Sequence, residues 1–156
     1  MGVTLREGDS TPVTSISVVI ADSKKSNRAA YIKQLKSEKG IQVVGEAGTS
    51  WEVIEAMRLQ PRILLLDWNM CTIGEVGLLS AIRLLSPRTK VILLTGRRTD
   101  TRLIDALSGG AQGYLKRNAI RSFLAKAVRV VDRGEAWVPR AMVPVFLAVF
   151  DRIGLA

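Results

Sequence analysis

The sequence predicts a three-layer α/β fold in which helices cover both faces of a doubly wound, five-stranded parallel sheet. Five short apolar runs of strand type alternate with longer stretches of helical periodicity along the 156 residues. The third run, Ile63–Leu66, is wholly apolar, as expected for a strand at the centre of a parallel sheet. Because parallel strands are joined by helical crossovers, this alternation favours helices on both sides of the sheet.

The predicted strands are short and apolar. They are expected at Ile16–Ala21, Ile41–Glu46, Ile63–Leu66, Lys90–Thr95 and Gly113–Leu115. Ahead of the first strand, residues 1–15 are rich in Gly, Ser, Thr and Pro and show no periodicity, which indicates a flexible leader.

The predicted helices follow the strands. They are expected from the first strand up to Gly40, from a Ser50 cap to just before Pro61, and over about Glu75–Leu85, Thr99–Ser108 and Ile120–Arg133. The last of them has one apolar stripe, typical of a helix that covers a sheet. These elements place one domain at residues 16–134 and a linker with a C-terminal helix at residues 135–156.

The tail is apolar on nearly every side over residues 141–153. Pro144 is compatible with a helix there if it lies in the first turn. An apolar helix needs a partner, which could be its own domain, a second copy or another domain. We expect self-association, with a homodimer as the product, or an interdomain contact.

Composition excludes several kinds of site. The single cysteine, Cys71, and the absence of histidine exclude a disulfide framework, a zinc site with histidine ligands and histidine-based catalysis. No signal peptide and no apolar run of about 20 residues is present, so we expect no membrane contact and a cytoplasmic location.

Positive charge is the other compositional feature. The 23 Lys and Arg residues against 14 Asp and Glu give a net charge of +9, which is typical of proteins with anionic partners. The cations form short separate clusters, at Lys24-Lys25-Arg28, Arg97-Arg98-Arg102 and Lys116-Arg117-Arg121. Solvated faces are the simplest interpretation, and convergence of some clusters in the fold stays open.

Polar residues lie where the predicted strands end, at the edge where doubly wound sheets bind ligands. They are Asp22, Ser23, Asp67, Thr95, Lys116 and Arg117. Asp67 follows four buried apolar residues, so its carboxylate should project from the centre of that edge. The alternative is an aspartate that only caps a helix or holds a loop.

Four segments carry a family resemblance. They are Ile20-Ala21-Asp22, Leu65-Leu66-Asp67-Trp68-Asn69-Met70, Leu93-Leu94-Thr95-Gly96 and Gly110-Ala111-Gln112-Gly113-Tyr114-Leu115. In this order they closely resemble the receiver domains of two-component response regulators, over residues 16–134. The resemblance implies a flavodoxin-like, receiver-type fold. Residues 133–140 are similar to the linker of NarL/FixJ (LuxR-type) regulators, in which a helix-turn-helix domain follows.

The resemblance also implies a chemistry. Asp67 would accept a phosphoryl group, and Mg²⁺ would be bound by Asp22, Asp67 and the Asn69 backbone carbonyl. Thr95 would be the switch hydroxyl and Tyr114 the aromatic residue whose rotation reports the state. A sensor histidine kinase is then the expected phosphoryl donor, and the domain itself is not expected to be an enzyme. DNA binding is expected only through an effector domain that this sequence does not include.

Three departures from the family pattern alter that pocket. Ser23 replaces the acid that normally contacts Mg²⁺, so metal affinity should fall. Gap-free counting puts Arg117 in the lysine position, with Lys116 one residue early on a strand whose neighbouring residues point to opposite faces. Residues 71–75 replace the usual proline and Asp-Gly after the acceptor. A fixed guanidinium at Arg117 could pair Asp22 or Asp67.

Several hypotheses stay open from the sequence. The domain could accept phosphate with weakened metal dependence, or it could be held in one conformation without conventional phosphorylation. The second case would make it a pseudo-receiver, acting only as a dimerisation or interaction module. A flavin- or nucleotide-binding protein is a third class, suggested by Ser23–Asn27 at a helix start, although that segment lacks the glycines of a nucleotide loop.

Overall fold

The computed structural model of the chain describes residues 15–71, 76–96, 106 and 109–152. Five parallel strands form a sheet in the order β2-β1-β3-β4-β5. The strands are β1 (Ile16–Ala21), β2 (Ile41–Ala47), β3 (Ile63–Asp67), β4 (Lys90–Thr95) and β5 (Gly113–Lys116). The helices are α1 (Lys25–Lys36), α2 (Ser50–Ala56), α3 (Val76–Leu85), α4 (Ile120–Asp132) and α5 (Val143–Arg152).

The sheet is covered on both faces, which confirms the predicted doubly wound fold. Helices α1 and α4 pack on one face, where Leu35 and Leu124 are fully buried. Helices α2 and α3 pack on the other face, around Val53 and Ile82. The strand order reverses direction between β1 and β3, which places the topological switch point at the carboxyl ends of these two strands.

Strand β3 is the centre of the core. Its five residues are all buried, and successive side chains alternate between the two faces. Leu64 and Leu66 join the core under α2 and α3, whereas Ile63 and Leu65 join the core under α1 and α4. The wholly apolar sequence of this strand is therefore explained by helices on both sides.

Helix α1 ends earlier than the sequence predicts. It stops at Lys36, with Ser37 as its C-cap, and not at Gly40. Gly40 has a φ of +79°, a conformation that glycine adopts without steric cost, and its carbonyl accepts a hydrogen bond from the Ile16 N–H at 2.7 Å. The chain thus uses residues 37–40 to turn back into β2.

Helix α2 is capped by Thr49, so the prediction of Ser50 as the cap was wrong by one residue. The Thr49 hydroxyl accepts a hydrogen bond from the Glu52 N–H at 3.1 Å. The Glu52 carboxylate in turn accepts from the Gly48 N–H at 2.7 Å. This reciprocal arrangement satisfies backbone donors at the start of the helix, as in a capping box.

The linker after α4 returns to the sheet, which the sequence analysis did not predict. Trp137 forms a parallel bridge with Gly113 at the free edge of β5. The Tyr114 N–H donates to the Trp137 carbonyl at 2.6 Å, and the Trp137 N–H donates to the Gln112 carbonyl at 3.2 Å. The Trp137 ring also packs on Phe123 of α4, with ring centroids 5.8 Å apart. The linker therefore covers part of an otherwise open edge.

The apolar tail packs partly on its own chain. Met142 and Phe146 are each only 5% exposed, whereas Val143 and Leu147 are exposed. Pro144 lies in the first turn of α5, where a missing N–H removes no helical hydrogen bond. Met142 and Phe146 therefore have cover within the single chain, and the expected self-association or interdomain contact stays a prediction for the exposed face of the helix.

Some predicted elements lie outside the described residues. These are the leader, apart from Ser15, and the predicted helix Thr99–Ser108, apart from Ala106. Of the altered loop at residues 71–75, only Cys71 is described, and it is buried. Within the described ranges, no helix combines the length and the apolar character that a membrane crossing requires.

Truncation of Leu65 tests the core at β3. Leu65→Ala removes a fully buried side chain, so we expect the free energy of unfolding to fall by about 2–5 kcal/mol. Leu84 is 83% exposed, and the matched change Leu84→Ala should alter it by less than about 0.5 kcal/mol. Urea denaturation measures the free energy of unfolding of both variants. Equal losses of stability in the two would contradict the assignment of Leu65 to the core.

Two alanine substitutions distinguish the cap from its neighbour. Thr49→Ala removes the hydroxyl that accepts from Glu52, so we expect a loss of about 1 kcal/mol in the free energy of unfolding. Ser50→Ala changes the first helical residue and should stay within about 0.5 kcal/mol of the unaltered chain. A larger loss from Ser50→Ala in the same denaturation experiment would restore Ser50 as the cap.

Candidate functional site

The carboxyl ends of four strands bring the predicted polar residues to one edge of the sheet. Asp22 directly follows β1, Asp67 is the last residue of β3, and Thr95 is the last residue of β4. In the strand register Asp67 lies opposite Leu94, one residue before Thr95. Arg117 follows directly after β5. These residues therefore lie along one edge of the sheet, with Asp22 and Asp67 at the topological switch point.

Asp67 is a buried carboxyl group at the centre of this edge. The residue is only 3% exposed, and the Asn69 N–H lies 3.4 Å from its Oδ1. Burial raises the pKa of Asp67 above its usual value, and the neighbouring charge of Asp22 raises this pKa further. The Arg117 guanidinium opposes both effects, because a nearby cation favours the ionised form.

Asp22 is fully buried beside it. Its Oδ1 accepts a hydrogen bond from the Lys24 N–H at 2.8 Å, and its Oδ2 accepts from the Asn27 side-chain amide at 3.1 Å. Its backbone carbonyl accepts from Arg28 Nη1 at 2.7 Å, and Arg28 is itself paired with Glu46 at 2.7 Å. These contacts fix the loop between β1 and α1, with the carboxylate directed into the pocket.

Arg117 connects the two carboxyl groups. Its Nη2 lies 2.9 Å from Asp67 Oδ1, and its Nη1 lies 3.8 Å from Asp22 Oδ2. Its side chain is 36% exposed, so the cation lies at the mouth of the pocket. A planar guanidinium can face two acceptors at once, which a lysine ammonium cannot do with the same geometry.

Among the described residues, the side chains of Lys116, Lys24 and Ser23 form no hydrogen bond or ion pair with the two acids. Lys116 is the half-buried last residue of β5, and in the part of the chain that the structure describes it forms no ion pair with Asp22 or Asp67. Only the backbone N–H of Lys24 contacts Asp22, and the Lys24 side chain is exposed. Ser23 is exposed as well.

Two further residues line the pocket: Tyr31, which was missed by sequence reasoning, and Asn27, which was named only as part of the segment Ser23–Asn27. The Tyr31 hydroxyl lies 3.4 Å from Arg117 Nη1. Burial raises the pKa of Tyr31; Arg117 lowers it, and the two nearby carboxylates raise it. Asn27 and Tyr31 are four residues apart in α1, so they lie on one face of the helix that follows Asp22. That spacing is the signal that could have identified them.

The donor set does not match a dedicated magnesium site. Mg²⁺ prefers six oxygen ligands in octahedral geometry. Among the described residues, no group of three His, Cys, Asp or Glu side chains lies close enough to hold a metal ion. Both oxygens of Asp22 already accept protein hydrogen bonds, and Asp67 Oδ1 faces Arg117. The charge of the acids is thus offset by a guanidinium of the protein itself.

The arrangement provides three chemical elements. Asp67 is a carboxyl group that becomes a nucleophile when ionised. Arg117 is a cation with several N–H donors, which suit the oxygens of a phosphoryl group. Thr95, only 2% exposed at the same edge, supplies a hydroxyl. Such a set can hold a tetrahedral anion next to a carboxylate.

Comparison with known proteins gives one family. The family model described as the response regulator receiver domain matches residues 18–129. The oxygen regulatory protein NreC of Staphylococcus carnosus (strain TM300) is 32% identical over 128 residues, covering 80% of this chain and 58% of NreC. NreC of Staphylococcus aureus (strain JH9) is also 32% identical, over 124 residues. The chain thus spans somewhat more than half the length of these relatives.

Solved structures share the fold. The isolated REC domain of RcsB from Salmonella enterica serovar Typhimurium, solved with the phosphomimetic BeF3-, aligns with a TM-score of 0.72 at 22% identity, over 84% of this chain and 98% of that one. The receiver domain of the putative response regulator NarL from Mycobacterium tuberculosis aligns with a TM-score of 0.69 at 26% identity. This alignment covers 78% of this chain and 98% of that one. The chain therefore belongs to the response regulator receiver domain family.

Proposed function

We propose that this receiver domain accepts a phosphoryl group on Asp67 and that Arg117 performs the role that the family gives to a lysine. The distance of 2.9 Å between Arg117 Nη2 and Asp67 Oδ1 carries the proposal. No ion pair links Lys116 to either pocket acid within the described ranges, so Arg117 is the better candidate for that role.

The proposed reaction is a transfer to the carboxylate. An oxygen of ionised Asp67 attacks the phosphorus atom of the donor and forms a new O–P bond. The bond between phosphorus and the leaving group breaks, and the leaving group takes the electron pair. Arg117 and Thr95 donate hydrogen bonds to the phosphoryl oxygens, which offsets the charge that Asp67 and the incoming group share.

Receiver domains generally bind Mg²⁺ at their phosphorylation pocket, and we propose that the metal dependence is weak in this one. The ligands that remain are Asp22, Asp67 and the Asn69 carbonyl, because Ser23 has no carboxylate. Arg117 already supplies a positive charge at this place. Its partial exposure leaves room for it to move when a donor enters, which favours an active pocket over one locked in a single conformation.

The partners that we propose come from the relatives. A sensor histidine kinase would donate the phosphoryl group, and the whole protein would regulate transcription in the cytoplasm through a LuxR-type DNA-binding domain. One solved structure shows two RcsB dimers bound to two parallel DNAs. The exposed Val143 and Leu147 of α5 would support a homodimer here. The family match favours this signalling role over a pure interaction module.

Phosphorylation from a small-molecule donor tests the proposal. Incubation with acetyl phosphate should add the mass of one phosphoryl group to the chain. Removal of Mg²⁺ by EDTA should reduce the rate of phosphorylation by less than about tenfold, because the positive charge of Arg117 stays in the pocket when the metal is removed. Asp67→Ala should show no added mass. Arg117→Gln should restore a strong dependence on Mg²⁺. Intact-mass spectrometry measures the phosphorylation of the unaltered chain with and without Mg²⁺ and of the two variants.

Unaltered mass in the presence of both donor and Mg²⁺ would contradict the role of Asp67. Full labelling of Asp67→Ala would assign the phosphoryl group to another residue. If Arg117→Gln behaves as the unaltered chain does with and without Mg²⁺, Arg117 has no part in charge compensation.

The protonation of Asp67 provides a second prediction. Only the carboxylate can attack, so the raised pKa of Asp67 means that reactivity should increase as the pH rises through that pKa. Arg117 lowers the pKa of Asp67; Arg117→Gln should therefore raise this pKa further. Carbon NMR of labelled aspartate carboxyl groups gives the titration of Asp67 directly. A lower Asp67 pKa in the variant would refute the electrostatic assignment.

A further inference from the structure

The positive charge of the chain is concentrated in one layer of the sandwich. Residues 24–39 and 116–133 contain twelve of the 23 basic residues but only two of the 14 acidic residues. Their net charge is +10, whereas the whole chain carries +9. The remaining residues are therefore close to neutral, and the excess of cations belongs to α1, α4 and their adjoining loops.

These two segments lie side by side. The Gln34 side-chain amide donates to the carbonyls of Ile120 and Arg121 at 2.9 and 3.0 Å. Arg129 donates to the Lys39 carbonyl at 2.9 Å and pairs with Glu38 at 3.0 Å. Two cation clusters that are about 90 residues apart in the sequence thus form one surface, which we call the basic layer.

Most cations of the basic layer point to solvent without an acidic partner. The two acidic residues of these segments are already in ion pairs, because Glu38 pairs with Arg129 and Asp132 pairs with Arg62. Seven exposed cations form no ion pair with any described residue. They are Lys24, Lys25, Lys33, Lys36, Lys39, Arg121 and Lys126.

We propose that the basic layer binds the phosphate backbone of duplex DNA without sequence preference. Protein–DNA interfaces are rich in positive charge, whereas lysine is depleted at interfaces between proteins. On the two segments the one exposed large apolar side chain among the described residues is Phe123, so the layer lacks both the apolar anchors of a protein interface and the stacking platform of a single-strand binder.

The dimensions and side chains fit a backbone contact. Helix α1 has 12 residues, which makes it about 18 Å long, and a duplex presents about ten phosphate charges over that length. Six of the seven exposed cations are lysines. Lysine is a flexible point charge that suits phosphate, whereas reading bases requires groups fixed in a groove. This contact differs from the expectation that DNA is bound only through another domain.

Fluorescence anisotropy with a labelled duplex of arbitrary sequence tests the proposal. We expect binding whose affinity falls with salt, with a log–log slope of about −5 for six phosphates neutralised. The variant Lys33→Glu, Lys36→Glu, Lys126→Glu should lower the affinity at least about tenfold and reduce the slope by about 3. These residues are exposed and do not contact the Asp67 pocket.

The matched control variant reverses the charge of three exposed arginines outside the basic layer. Its substitutions are Arg58→Glu, Arg88→Glu and Arg140→Glu. It has the same net charge as the first variant, and its affinity should fall less than about threefold if position and not total charge decides binding. Circular dichroism establishes that both variants are folded. Equal losses of DNA affinity in the two variants would overturn the proposal. A competition experiment with polyglutamate gives a second test. If polyglutamate displaces the labelled duplex as well as unlabelled DNA of equal charge does, the surface fits acidic proteins and the proposal is overturned.

Discussion

The contact between Arg117 and the two buried acids is the constraint on which the pocket depends. Asp22 and Asp67 lie together at the edge of the sheet with little solvent around them. Two adjacent carboxylates in such a place repel each other and lose hydration, so a positive charge has to be near if both are ionised. Arg117 supplies that charge at 2.9 Å from Asp67.

Several parts of the fold hold this contact in place. Strand β5 places Arg117 at the edge, and Trp137 forms two backbone hydrogen bonds, one with Tyr114 of that strand and one with Gln112 just before it. The Arg28–Glu46 pair and the Asn27 amide hold the loop that presents Asp22. A structural link therefore connects the pocket, through β5, to the segment around Trp137. The same strand end leads into α4 and the basic layer.

The sequence was sufficient for the fold and for the residues at the strand ends. The periodic alternation identified all five strands, and the rule that parallel sheets bind ligands at their carboxyl edge selected Asp22, Asp67 and Thr95. Local patterns could not decide between Thr49 and Ser50 as a cap, because both side chains can accept the same hydrogen bond. Tyr31 and the return of Trp137 to the sheet depend on contacts between distant segments, which periodicity does not encode.

A crystal structure of the domain without divalent cations tests the central claim most directly. If Arg117 is the resident cation of the pocket, its guanidinium will lie within hydrogen-bond distance of Asp67 and close to Asp22. An Arg117 side chain that extends into solvent, away from both carboxylates, would contradict that claim.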